Sequence, residues 1–213
     1  MSSVFSIRRL LASLMICIGM ASLTWYGIQI ASRRTFQRDQ RAALNHEIDT
    51  GRDAPTPSQP APTPQDRPVP GGLVGQLDIP RVHLSVVVVE GDDDATLKKA
   101  VGHLPDTPLP WDNGNSALAG HRDTFLRPLK DIRAGDEIRL TSAHGTFVYR
   151  VRKTRVVDPS DITVLASTPQ SELTLVTCYP FYYVGNAPRR FIVSAERVES
   201  LPVEVATASH QTP

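Results

Sequence analysis

The chain has 213 residues, with 23 basic and 22 acidic side chains and a formal net charge of +1. That balance leaves no bulk electrostatic case for nucleic-acid binding. Its two cysteines exclude a disulfide scaffold and a cysteine-rich zinc site, because Cys17 lies in an apolar N-terminal run and has no way to bridge to Cys178.

After a short N-terminus (residues 1–9), Leu10 to Ala31 carries no charged side chain and is bounded by Arg8-Arg9 and Arg33-Arg34. About twenty apolar residues span a bilayer, so a single transmembrane anchor is expected over 10–31. A cleaved signal peptide is the rival, but its apolar region is usually about 7–15 residues and ends at a small-residue cleavage site. Trp25 and Tyr26 lie where amphipathic rings settle at an interface. Orientation is ambiguous by charge: Arg33, Arg34, Arg38 and Arg41 outnumber Arg8 and Arg9, which taken alone would put the large domain in the cytoplasm.

Residues 32–50 have the composition of a polar juxtamembrane helix. Residues 51–72 contain Pro55, Pro57, Pro60, Pro62, Pro64, Pro68 and Pro70. Such a run favours polyproline II at about 3.1 Å per residue and suits a semi-rigid stalk, with a ligand for a proline-recognition domain as the other use.

From Leu73 the pattern changes to short strands and turns. Strands are expected over Val74–Ile79, His83–Glu90, Asn115–Gly120, Glu137–Thr141, Thr146–Val157, Leu173–Thr177 and Arg190–Val198. A short helix over Asp92–Val101 has Asp93 or Asp94 to cap it, and a helical turn is expected over Phe125–Ile132. Seven or eight strands with little helix over residues 73–201 predict a closed barrel or a sandwich, followed by a flexible tail at 202–213. No internal repeat is evident.

The soluble region holds one cysteine, Cys178, at the end of the run Leu173-Thr174-Leu175-Val176-Thr177-Cys178. Tyr179-Pro180 follows, and proline cannot continue a central strand, so the sulfur is expected at a strand's end. A thiol there is either an inert apolar group or, with a base or cation beside it, a nucleophile. His121 also follows a β-rich run and a glycine. Arg189-Arg190 opens the last strand, and a guanidinium beside the sulfur would offer fixed donors to an oxyanion. Alone, Cys178 reads as an inert buried residue, His121 as a hydrogen-bonded rim group and either arginine as a solvated surface charge.

Together they resemble the sortase family of cysteine transpeptidases. The family's TLxTC strand is present as Thr174-Leu175-Val176-Thr177-Cys178, its strand-end histidine as Ala119-Gly120-His121-Arg122, and its arginine opens the final strand. The resemblance covers Leu73 to Val198, and the AGHRDT and YPF runs are most similar to class D. It implies an all-β fold: a closed eight-stranded barrel with short helices, preceded by the transmembrane helix. It also implies Cys178 as nucleophile, His121 as general acid, Arg190 as the holder of substrate carbonyl and oxyanion, and Thr177 as a group that positions the scissile carbonyl. Arg189 stays open as the alternative arginine.

The implied reaction cleaves an LPxTG-like sorting signal through a thioacyl-enzyme and passes the protein to an amine acceptor, either a cell-wall precursor or another protein. A bell-shaped pH dependence of rate is its expected consequence. No cofactor and no metal are implied; Asp92-Asp93-Asp94 could suggest calcium, but a solvated helix start explains it. Sorting substrates are met on the outer face of the cell membrane, so the analogy places the catalytic domain outside it, against the arginine count. Two other readings stand beside this one: a stalked barrel that binds ligands with an inert buried cysteine, and a cysteine hydrolase that releases free acid.

Overall fold

The uncharged N-terminal run and the polar stretch after it form one unbroken helix, α1 (Ser2–Arg52), in a computed structural model of the chain. The structure describes residues 2–52 and 67–201, with side chains within 10–50 and 67–198. The sequence's stalk therefore lies largely, and its C-terminal tail wholly, outside the described residues. The first part of α1 is long and apolar enough to cross a membrane, and none of that stretch is buried against the barrel.

Its second half behaves differently. Ile30, Arg33, Phe36, Gln37, Gln40, Arg41, Leu44 and Ile48 recur at helical spacing and are the partly or fully covered positions of this region. Leu44 is buried, and Phe36 packs on a small apolar cluster of Val87, Val89 and Ala100 outside the main core. The Gln37 side-chain amide stands in for a strand: its Nε2 donates to Lys99 O (2.8 Å), and its Oε1 accepts from Val87 N (2.9 Å). Arg41 Nη2 donates to Ser85 O at 2.8 Å. The juxtamembrane helix is thus docked on the barrel's outer surface.

The barrel follows in eight strands: β1 (Leu73–Ile79), β2 (Leu84–Glu90), β3 (Val101–His103), β4 (Asn115–Ala119), β5 (Glu137–Ser142), β6 (Gly145–Val157), β7 (Glu172–Tyr179) and β8 (Arg189–Leu201). They close in the order β1-β2-β3-β4-β7-β8-β6-β5. The pairs β2/β3 and β4/β7 are parallel and the remaining pairs antiparallel. An eight-stranded barrel is just wide enough for side chains to fill. Here Leu77, Val86, Leu118, Leu140, Tyr149 and Leu175 are among those that fill it.

Seven strands were legible from alternation, and β3 was not. The expected helix over Asp92–Val101 shrinks to α2 (Asp94–Leu97), capped by the Asp93 carboxylate on the amides of Ala95 and Thr96. Val101 instead starts β3, whose three residues are too few to show a period. β3 ends on His103, which is fully buried. Its ring lies 2.7 Å from the Glu90 carboxylate and 3.0 Å from Pro108 O, tying down the loop that leads to β4. The helical turn expected at Phe125–Ile132 is a 3-10 turn over Arg127–Asp131. Others span Pro80–Val82, between β1 and β2, and Ile162–Leu165, in the β6–β7 connection.

Candidate active site

The site is set by register on both sides of β7. On one side β8 runs antiparallel, and Cys178 is the direct partner of Arg190. On the other side β4 runs parallel, with Ala119 opposite Val176. Gly120 N continues that ladder by donating to Val176 O at 3.2 Å, and Thr177 Oγ1 donates to Gly120 O at 2.7 Å. His121 is the next residue, so residues 121, 178 and 190 lie at the same end of three neighbouring strands. All three side chains are half-buried, neither sealed in the core nor free in solvent.

Strand pleating decides which side chains share a face. Leu173 and Leu175 point into the core, whereas Val176 lines a groove on the barrel's outer surface together with Arg190 and Ile192. Cys178 stands two residues on from Val176 and shares its face. In β4, Leu118 points into the core, so Ala119 turns outward, and His121 follows just past the strand's end. The opposite face carries Thr177, buried with its hydroxyl engaged, and Tyr179 and Phe181, which pack with Phe191 (ring centroids 6.3 and 5.2 Å from it). Arg189 pairs with Tyr179 and falls on that opposite face, exposed.

Gly120 is required by a close approach. A Cβ there would meet Leu126 Cγ at 2.8 Å and Cδ1 at 2.9 Å, so the core leucine after the turn occupies the space any side chain would need. The turn itself is closed by Leu126 N donating to His121 O at 3.1 Å.

Arg190 Nη1 donates to the main-chain oxygens of Arg189 (3.1 Å) and Ala187 (3.4 Å). Asp158, beyond the end of β6, faces the same pair of arginines. Hydrogen bonds from the Ser160 hydroxyl and amide, then the Arg189 and Arg190 charges, hold its carboxyl below the usual carboxylate range. The adjoining groove has a volume of about 100 Å³ and an apolar floor of Leu104, Val176 and Ile192. One wall is the 3-10 turn of the β6–β7 connection, through Val164 and Leu165. The groove residues from the β6–β7 connection, Ile162, Val164 and Leu165, belong to no motif and carry no periodicity that would single them out. Among the described residues no group of three or more His, Cys, Asp or Glu side chains is arranged to hold a metal.

A family model described as the sortase domain matches residues 77–198. Sortase D of Bacillus subtilis (strain 168) is 42% identical over 133 residues, covering 62% of this chain and 67% of that protein. Sortase A of Listeria monocytogenes is 29% identical over 110 residues, covering 50% of this chain and about half (49%) of that protein. Among solved structures, a sortase D5 transpeptidase of Clostridium perfringens superposes with a TM-score of 0.64 at 24% identity, covering 79% of this chain and 99% of that one, a likeness of fold. Sortase E of Streptomyces avermitilis superposes with a TM-score of 0.56 at 32% identity, covering 66% and 97%.

Proposed function

Because this chain belongs to the sortase family of cysteine transpeptidases, we propose that Cys178 cleaves an LPxTG-like sorting signal and that the released acyl group passes to an amine. The observation that carries this assignment is the double register about β7: Cys178 opposite Arg190, and Ala119 parallel to Val176 with Gly120 continuing the ladder just before His121.

In the first half-reaction the Cys178 sulfur bonds to the carbonyl carbon of the signal's threonine. Arg190 donates to the oxygen that gains negative charge, a fixed cation preorganised where charge develops. The carbon–nitrogen bond then breaks, and His121 gives a proton to the leaving amine. In the second half the acceptor amine bonds to the same carbon and loses a proton to His121. The carbon–sulfur bond breaks, and the thiolate is restored. The apolar groove leading to Arg190 suits the leucine and proline of the signal. Thr177 contributes to positioning the scissile carbonyl through the strand ends it ties together, since its hydroxyl is held by Gly120 O. The single span in α1 would hold the barrel on the outer face of the cell membrane, where such signals emerge.

The test is incubation of the full chain in detergent with a library of LPxTG-like peptides and added amines, with products read by mass. Cys178→Ala is expected to abolish turnover. His121→Ala and Arg190→Ala should each lower it by about 10²–10⁴-fold, while Arg189→Ala stays within a few-fold of the parent. Full activity in Arg190→Ala with loss in Arg189→Ala would overturn the arginine assignment. Free acid as the sole product, whatever amine is present, would make the chain a hydrolase.

A further inference from the structure

The connection between Cys178 and Arg190 is itself held in place by the residue after His121. Arg122 Nη2 donates to two main-chain oxygens of the β7–β8 loop, Tyr183 O at 2.9 Å and Gly185 O at 3.0 Å. Its guanidinium also lies 5.7 Å from the centre of the Tyr183 ring. Five residues further on, Arg127 covers the neighbouring Tyr182 at 5.5 Å. The loop has few other anchors: Tyr182 is 70% and Val184 99% exposed, and Gly185 adopts a left-handed conformation with φ of 96°. Two charge-assisted hydrogen bonds from one nitrogen are therefore the main polar tie between the segment that carries His121 and the loop that ends at Arg190.

The geometry points to Arg122 as a positioning residue that sets the spacing of His121 and Arg190 about Cys178 by clamping the β7–β8 loop. This rests on the reading of those three residues as the catalytic set. The clamp acts through main-chain carbonyls, so it is indifferent to the side chains of the loop and specific to the cation that reaches it. Arg122 reaches the main chain of that loop and does not line the groove of the β6–β7 side. Its loss should act on the rate of the chemical step and leave donor binding alone, because misplacement of catalytic groups by about an ångström costs on the order of 10²-fold. All the polar contacts run through Nη2, while Nη1 is buried and has no acceptor among the described residues. A lysine ammonium can supply two donors to the same carbonyls, so lysine should substitute in part.

The experiment compares the full chain in nanodiscs with Arg122→Met, which keeps the apolar stem and removes the donors, and with Arg122→Lys. Expected for Arg122→Met is a fall in kcat of about tenfold or more, with donor KM within twofold. Amide hydrogen exchange over residues 182–187 should be faster while that of the barrel strands is unchanged. Arg122→Lys should recover both the slow exchange and most of the rate. Unchanged exchange in Arg122→Met would overturn the clamp, as would a loss of rate confined to KM or one that Arg122→Lys fails to recover in a folded protein. The exchange measurement needs no substrate, so it decides the clamp even if the parent turns over no sorting peptide, a result that would instead reject the proposed function.

Discussion

Arg189 and Arg190 are neighbours with identical side chains, and the pleat of β8 puts them on opposite faces. Arg190 shares its face with Ile192 and lies across from Cys178, whereas Arg189 lies across from Tyr179 on the side of Phe191. A one-residue slip in the β7–β8 register would exchange them, since side-chain direction alternates with period two. The same logic applies to Gly120. Its missing side chain lets Leu126 close under the turn, and His121 is aimed by that turn. Gly120→Ala is expected to lower stability by about 1–3 kcal/mol, the range for overpacking a filled core, and to reduce transpeptidation along with it. Urea unfolding measures the first effect and peptide turnover the second. An unchanged midpoint would mean that Leu126 moves aside at no cost.

At the scale of elements, α1 does two jobs along one axis. Its uncharged part is long enough to span a bilayer, and its amphipathic part is a component of the catalytic domain. The stripe from Ile30 to Ile48 starts inside the end of the apolar run, so the docked stretch follows the candidate span without a break in the helix. Gln37 explains why the helix sits where it does. β3 begins at Val101, opposite Val88, and leaves Val87 N and Lys99 O without strand partners, and one side-chain amide satisfies both. Burying either group unpaired would cost about 1–3 kcal/mol. Leu44→Ala is therefore expected to destabilise the barrel by about 2–3 kcal/mol, read from thermal unfolding of the full chain in detergent. The exposed neighbour Asn45→Ala should leave the midpoint nearly unchanged. Equal midpoints for the two variants would show that the helix is not docked in solution.

For the whole molecule, closure of the barrel is completed at one rim by Arg81, which lies between β1 and β2. Its Nε and Nη2 donate to the two oxygens of Asp136, just before β5, and Nη2 also reaches Asp131 O. Arg133 N adds a third hydrogen bond to Asp136, at 2.7 Å. The Arg81 hydrogen bonds, ahead of all other causes, hold the Asp136 carboxyl below the ordinary carboxylate range. A depressed pKa contributes stability that is present in full above the unfolded value near 3.9 and is lost as pH falls through the folded one. Arg81 is 39% exposed, so solvent screening limits the contribution to at most about 1 kcal/mol. Asp136→Asn should cost no more than that at pH 7, and the two proteins should converge in stability as pH falls through the folded-state pKa of Asp136, below its unfolded value, as pH-dependent urea unfolding would show. A constant difference across that range would mean that the carboxylate's charge is not what matters.

The sequence alone determined the features written in short-range patterns. The uncharged run before Arg33-Arg34, the alternation along Phe147, Tyr149 and Val151, and the residue types at Thr174–Cys178, His121 and Arg190 are all local properties of the chain. What tertiary structure decided is everything that depends on pairing between distant segments. Thr177 and Gly120 are 57 positions apart when they meet, and β3 is a strand only because β2 and β4 lie on either side of it. The choice between two arginines, the groove beside Cys178, the seat of α1 and the grip of Arg122 on the β7–β8 loop all follow from register in a closed ring. No stretch of sequence specifies that register by itself, because each strand's alignment is fixed only when every side chain inside the barrel has found room.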